Sequence, residues 1–134
     1  MDQSVYLEKN ISQQPALDLL QSMGYTYISP QDCEAQRGSR YHVLLKDILR
    51  GQLRRLNRYT FAGAENEFSA ANIERAMDDL DEPLTDGLVR ASEKIYDALL
   101  LGKSYPETVG EGKILSFNLR YIDWEHPENN LFHV

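Results

Sequence analysis

The stretch KILSFNLRYI, residues 113–122, places Leu115, Phe117, Leu119 and Tyr121 on one face and Ser116, Asn118 and Arg120 on the other. Alternation over this length is the signature of a half-buried strand. The sequence before it reads mostly with helical periodicity, and that contrast decides the fold class. The chain is α+β: a predominantly helical front followed by the start of a sheet.

Working backwards from residue 113, Gly102 closes a helix whose Leu88, Ala91, Ile95 and Leu99 are expected to face inward, with Asp86 as its cap. Glu82-Pro83 separates it from a helix capped by Ser69 that carries Ile73, Ala76, Met77 and Leu80 on one face and ends near Asp81. The residues around Gly63 read as a loop. Upstream, Tyr41, Leu45, Ile48, Leu49, Leu53 and Leu56 share one side of what is expected to be the longest helix, Tyr41 to Arg58. A shorter helix follows from SQQPALDLLQSMG, residues 12–24, where Pro15 suits a first turn, Ala16, Leu17, Leu20 and Met23 keep helical spacing, and Gly24 stops it. Between them YTYIS, residues 25–29, predicts a short strand before a Ser29-Pro30 turn. Forward of residue 122, the turn-rich HPENN leads into a third extended piece, Leu131 to Val134. Three such pieces make a small sheet for independent stability, so the sheet is expected to continue after residue 134.

With 134 residues and 42% hydrophobic content, the chain suits one domain over 1–134 around one core. No apolar run approaches the ~20 residues that cross a bilayer, and MDQSVYLEKN is not a secretory signal, so a cytoplasmic protein without membrane contact is expected. A single cysteine, Cys33, excludes an internal disulfide, and no neighbouring histidine activates it. His42, His126 and His133 lack zinc spacing.

Charge is distributed very unevenly. Arg37, Arg40, Lys46, Arg50, Arg54, Arg55 and Arg58 face only Asp47 in their segment, which is net +6 within a chain of −7 and leaves −13 for the remainder. On a helical wheel Lys46, Arg50, Arg54 and Arg58 form one stripe opposite the leucines. Arginine suits bidentate phosphate contact, so Arg37, Arg40, Lys46, Arg50, Arg54 and Arg58 are the candidate DNA-binding residues. The plainer alternative is a solvated face paired with acids such as Glu74, Asp78, Asp79, Asp81, Glu82 and Asp86. Glu65 and Glu67 have a spacing that a divalent ion or an ordinary loop would accommodate. Tyr6, Tyr25, Tyr27 and Tyr41 suit base stacking or packing.

LEKNISQQPALDLLQSMGYTYIS, VLLKDILRGQLRRLN, FSAANIERAMDDL and YIDWEHPENNLFHV, in that order, resemble the N-terminal region of the R subunit of type I restriction enzymes. That subunit combines a nuclease with an ATP-driven DNA translocase. The resemblance implies a PD-(D/E)xK nuclease fold whose metal-binding Asp and Glu-x-Lys lie on strands after NNLFHV, and therefore outside this chain. It also implies Mg2+ and ATP as cofactors of the full-length protein, with none for these residues alone. Double-stranded DNA and the modification and specificity subunits are the implied partners. Full-length relatives cleave DNA in an ATP- and Mg2+-dependent, translocation-coupled manner, whereas these 134 residues alone are expected to be inactive. The family places a glutamate on the first helix near the metal. The matching position here is Gln13, with Glu8 the alternative. An amide is the poorer ligand for a hard cation. A reading from a different class is a free-standing acidic interaction module that does not bind DNA. Coding sequence after codon 134 separates the two, because only the nuclease reading requires an Asp and then Glu-x-Lys there.

Overall fold

The computed structural model describes residues 9–38, 43–81 and 87–134. It is α+β, with five helices and two antiparallel hairpins among the described residues. Glu8, Arg40, Tyr41, the Glu82-Pro83 break and Asp86 lie outside them.

A single π-helical turn, Lys9–Gln13, runs into α1, Gln14–Ser22, with Pro15 in its first turn. Leu17 and Leu20 are half-buried, while Ala16 and Met23 are exposed. The expected turn at Ser29-Pro30 is instead the start of a second helix, α2, Pro30–Arg37. Its sequence, PQDCEAQR, has no apolar stripe to betray it. Its ends specify it: Ser29 Oγ accepts the Asp32 amide at 3.2 Å, and Gly38 leaves in the left-handed region at φ +75°.

Helix α3 spans Lys46–Leu56 and is shorter than the expected Tyr41–Arg58. Val43 to Leu45 are not helical, and Asn57 turns extended at φ −117°, ψ 126°. The cause is tertiary. Asn57 Nδ2 donates to Leu53 O at 3.0 Å and Arg120 O at 2.7 Å, and its Oδ1 accepts the Arg120 amide at 2.7 Å, so the chain is stitched to a distant strand. The region read as a loop around Gly63 is a hairpin: β1, Arg58–Phe61, pairs with β2, Ala64–Glu67. Ala62 and Gly63 both take positive φ, +52° and +79°, as a tight two-residue hairpin turn requires. Four-residue strands are too short to stand out in the hydropathy pattern.

Ser69 caps α4, Ala70–Leu80, accepting the Asn72 amide at 3.3 Å, and Ile73, Ala76 and Met77 are buried as the spacing predicts. Helix α5, Leu88–Leu101, is the longest among the described residues, at 14 residues. It buries Ala91 and Ala98, whereas Leu88, the first residue of the helix, is 68% exposed. After Gly102, β3, Lys103–Val109, pairs antiparallel with β4, Lys113–Leu119, from Lys103 opposite Leu119 to Val109 opposite Lys113. Strand β3 does not stand out in the sequence because Pro106 and Glu107 interrupt its alternation. Glu107 is nevertheless buried, where its Oε1 accepts the Ser69 amide at 2.8 Å and Asn72 Nδ2 at 2.9 Å. The expected strand to Ile122 ends at Leu119, and Leu115 is exposed near the hairpin tip. Leu119 and Tyr121 are buried.

Leu53, Phe68, Ile73, Ala76, Met77, Ala98, Tyr105, Leu119 and Tyr121 form the core. Tyr59 stacks on Phe117 at 4.4 Å, which lays the first hairpin against β4. The two weakest expected strands, 25–29 and 131–134, meet each other in a parallel bridge between Thr26 and His133. No described helix is long and apolar enough to cross a membrane.

Candidate nucleic-acid interface

Lys46, Arg50 and Arg54 recur every four residues on α3 and so share a face, opposite Leu49 and buried Leu53. Arg58 is not on that helix. It opens β1, directly across from Glu67 on β2. The hairpin, rather than helical continuation, therefore brings Arg58 to the end of the stripe.

Carboxylates are interleaved with these cations. Arg50 Nε donates to Glu74 Oε1 at 2.5 Å and its Nη1 to Asp47 Oδ1 at 3.0 Å. Glu67 faces two guanidinium groups, Arg58 at 3.2 Å and Arg54 at 3.9 Å. The Arg50 hydrogen bond holds the Glu74 carboxyl below its ordinary range, with Lys46 adding to the effect, and Arg50 is raised in return. All these side chains are between one third and four fifths exposed, so each pair contributes only ~0–1 kcal/mol. Such weak pairs exchange readily with another anion.

Arg37 and Arg55 have other surroundings. Arg37 closes α2, and its Nε is shielded from solvent with no hydrogen-bond partner among the described residues. Arg55 turns the other way, donating with Gln52 to the Asn129 carbonyl, the Gln52 bond being 2.9 Å. Arg40 lies outside the described residues.

Gln13 ends the π-turn before α1 and lines a cleft of about 660 Å³ with Gln14, Gln21, Tyr27 and Gln31. Four glutamines share this cleft with Leu17, Ile28 and Pro30, and no carboxylate among the described residues lines it, which does not suit Mg2+. Glu65 and Glu67 belong to a strand rather than a loop, and Glu67 is occupied by arginines. One Glu-x-Lys triplet occurs, Glu111-Gly112-Lys113, at the turn between β3 and β4. It is exposed, with Glu111 at φ +55°. Among the described residues no group of three or more His, Cys, Asp or Glu is arranged to hold a metal ion. Tyr27 is partly exposed, whereas Tyr25 meets Phe132 ring to ring at 5.5 Å. Tyr6 and Tyr41 lie outside the described residues.

Sequence reasoning missed Asp123. Its buried carboxylate accepts the His126 amide at 2.9 Å and Asn129 Nδ2 at 3.0 Å. Its own amide donates to Asn130 Oδ1 at 3.0 Å, and Asn130 Nδ2 returns a bond to Asp123 O at 2.9 Å. The available signal was an Asp set just before HPENN, since Asp and Asn side chains organise turns through the backbone.

Residues 5–134 match a protein-family model described as the type I restriction enzyme R protein N terminus. Neither a curated protein nor a solved structure matches the chain.

Proposed function

The chain belongs to the family of the type I restriction enzyme R protein N terminus, and from that premise we propose that it is the helical front of a PD-(D/E)xK-type nuclease domain whose α3 face holds duplex DNA by its phosphates. The observation carrying this reading is the convergence of Lys46, Arg50 and Arg54 on one helical face with Arg58 from the hairpin at its end. Cations at this spacing follow a backbone without reading bases, as sequence-independent binding requires. Arg37 and Arg40 are secondary contacts in this reading. Sequence recognition then belongs to the specificity subunit, with the modification subunit as a further partner in the cytoplasm.

Mg2+ and ATP serve the longer protein in this proposal. When bound, the metal would polarise a phosphate oxygen and lower the pKa of its water. The described residues do not fit that ion, and the work assigned to them is to bind and orient the duplex. A second reading rests on Arg50, Arg54 and Arg58 each facing a carboxylate, which makes the stripe an internal ion-pair network on an acidic interaction module.

Changing Arg50, Arg54 and Arg58 together to Gln distinguishes them. Under the DNA reading the dependence of log affinity on log salt becomes shallower by up to about three units, at ~0.9 for each phosphate no longer neutralised. An unchanged slope in a folded variant removes this face from the DNA path and leaves the network reading. Glutamine preserves helix propensity at Arg50 and Arg54.

A further inference from the structure

Helices α1 and α2 contribute no buried residue, so core packing does little to fix their position. Helix α2 touches α3, and Tyr25 meets Phe132, but the hydrogen bonds that tie the segment between α1 and α2 to the C-terminal residues are made by backbone. Thr26 N donates to Phe132 O at 2.8 Å, Ile28 N to Val134 O at 2.8 Å, and Val134 N to Thr26 O at 3.0 Å. The segment receiving these bonds is the continuation of the turn organised by Asp123.

That turn is gripped from two sides. Inside, the Asp123 carboxylate accepts the His126 amide and Asn129 Nδ2, while Asn130 exchanges two bonds with the Asp123 backbone and donates a third to Pro127 O at 3.1 Å. Outside, Gln52 and Arg55 of α3 both donate to Asn129 O. Arg120, 4.0 Å from the Asp123 carboxylate, ties the turn to the end of β4. One loop thus touches α3, the β4 end and, through residues 131–134, the segment that carries α1 and α2.

We propose that the Asp123-centred turn is a clasp that seats the α1–α2 segment against the rest of the fold, and that this segment opens as a unit when the clasp is broken while the α4–α5 core stays closed. Asp123 is then a positioning residue, acting on α1 through the 131–134 pairing. The proposal stands independently of DNA binding. Charge-assisted bonds to a buried carboxylate are among the stronger ones, and a two-acceptor side chain is needed to take both donors. Asparagine at this position would set an NH2 group against a donor of the turn.

The test is residue-resolved amide hydrogen exchange on the full 134-residue chain, comparing the unaltered protein with Asp123→Asn and Asn130→Ala. Each variant is expected to speed exchange of the Thr26, Ile28 and Val134 amides at least tenfold while α4 and α5 amides keep their protection. Equal acceleration throughout the chain would make the turn an ordinary part of one cooperative core and overturn the clasp. Unaltered exchange at Thr26 and Ile28, or no protection of them in the unaltered protein, would show that α1 and α2 are seated by other means. Should Asp123→Asn fail to fold, Asn130→Ala, which leaves both carboxylate bonds in place, decides by the same readings.

Discussion

Gly102 leaves α5 at φ +75°, and a Cβ placed there would collide with the carbonyl oxygen of Leu119. A backbone atom in a paired strand cannot swing aside as a side-chain tip can. Gly102→Ala is therefore expected to lose about 2–3 kcal/mol, combining left-handed strain with the steric conflict. Thermal unfolding should show this as a midpoint roughly 10 °C lower. Asp123 gives a different test, in pH. Its carboxyl is held below its ordinary value chiefly by the Asn129 amide, then by the His126 backbone amide, with Arg120 and His126 adding favourable charge. A lowered folded pKa stabilises the protein at pH values above the unfolded one, and this is lost as pH falls through the folded value. The stability difference between the unaltered protein and Asp123→Asn should thus hold steady from pH 7 to about 5 and narrow only below about pH 4, as denaturant titration at each pH would record. A gap that narrows near neutrality would assign the effect to another group. Sequence alone made the glycine legible as a helix stop, but not as a close-packed residue. It did not single out Asp123, because a turn-former and a buried hub are spelled with the same letter.

Helix α3 shows what happens when one periodic pattern spans two elements. The stripe read as a single helix face is three residues of helix and one of strand, because Asn57 binds the Arg120 backbone and ends the helix. The alternating acids were half legible. Glu74 stands on the neighbouring helix where the pairing alternative expected an acid, whereas Glu67 reaches Arg54 and Arg58 only through a hairpin that the pattern concealed. If these acids compete with phosphate for the arginines, replacing Glu67 and Glu74 together with Gln should tighten non-specific duplex binding by roughly two- to tenfold at low salt, since each exposed pair is worth ~0–1 kcal/mol. Fluorescence anisotropy with a labelled duplex measures it. Unchanged or weaker binding by a folded double variant would place the phosphate path elsewhere. Helix α2 and strand β3 escaped the pattern for opposite reasons: the first buries no residue, and the second buries a glutamate that serves the N-terminus of α4.

At the scale of the molecule, the Glu111-Gly112-Lys113 triplet has the letters of a nuclease motif but occupies an exposed hairpin turn with no metal-binding acid group among the described residues. The purified 134-residue chain is accordingly expected to show neither Mg2+-dependent cleavage of plasmid DNA nor ATP hydrolysis. Nicking that persists on repurification and disappears in Glu111→Gln would instead make that turn catalytic. What the sequence determined by itself was the α+β class, the Ser69 cap with Ile73, Ala76 and Met77 beneath it, the concentration of positive charge before residue 59, and family membership. These are properties of composition, local caps and short-range periodicity, which operate within a few turns of chain. Tertiary structure alone decided that Arg58 leaves the helix, that Glu107 is buried beneath the α4 cap, and that residues 25–29 pair with 131–134. Each depends on hydrogen-bond partners far away in sequence, and a buried polar group or an extended segment acquires its partner only when the chain has closed upon itself.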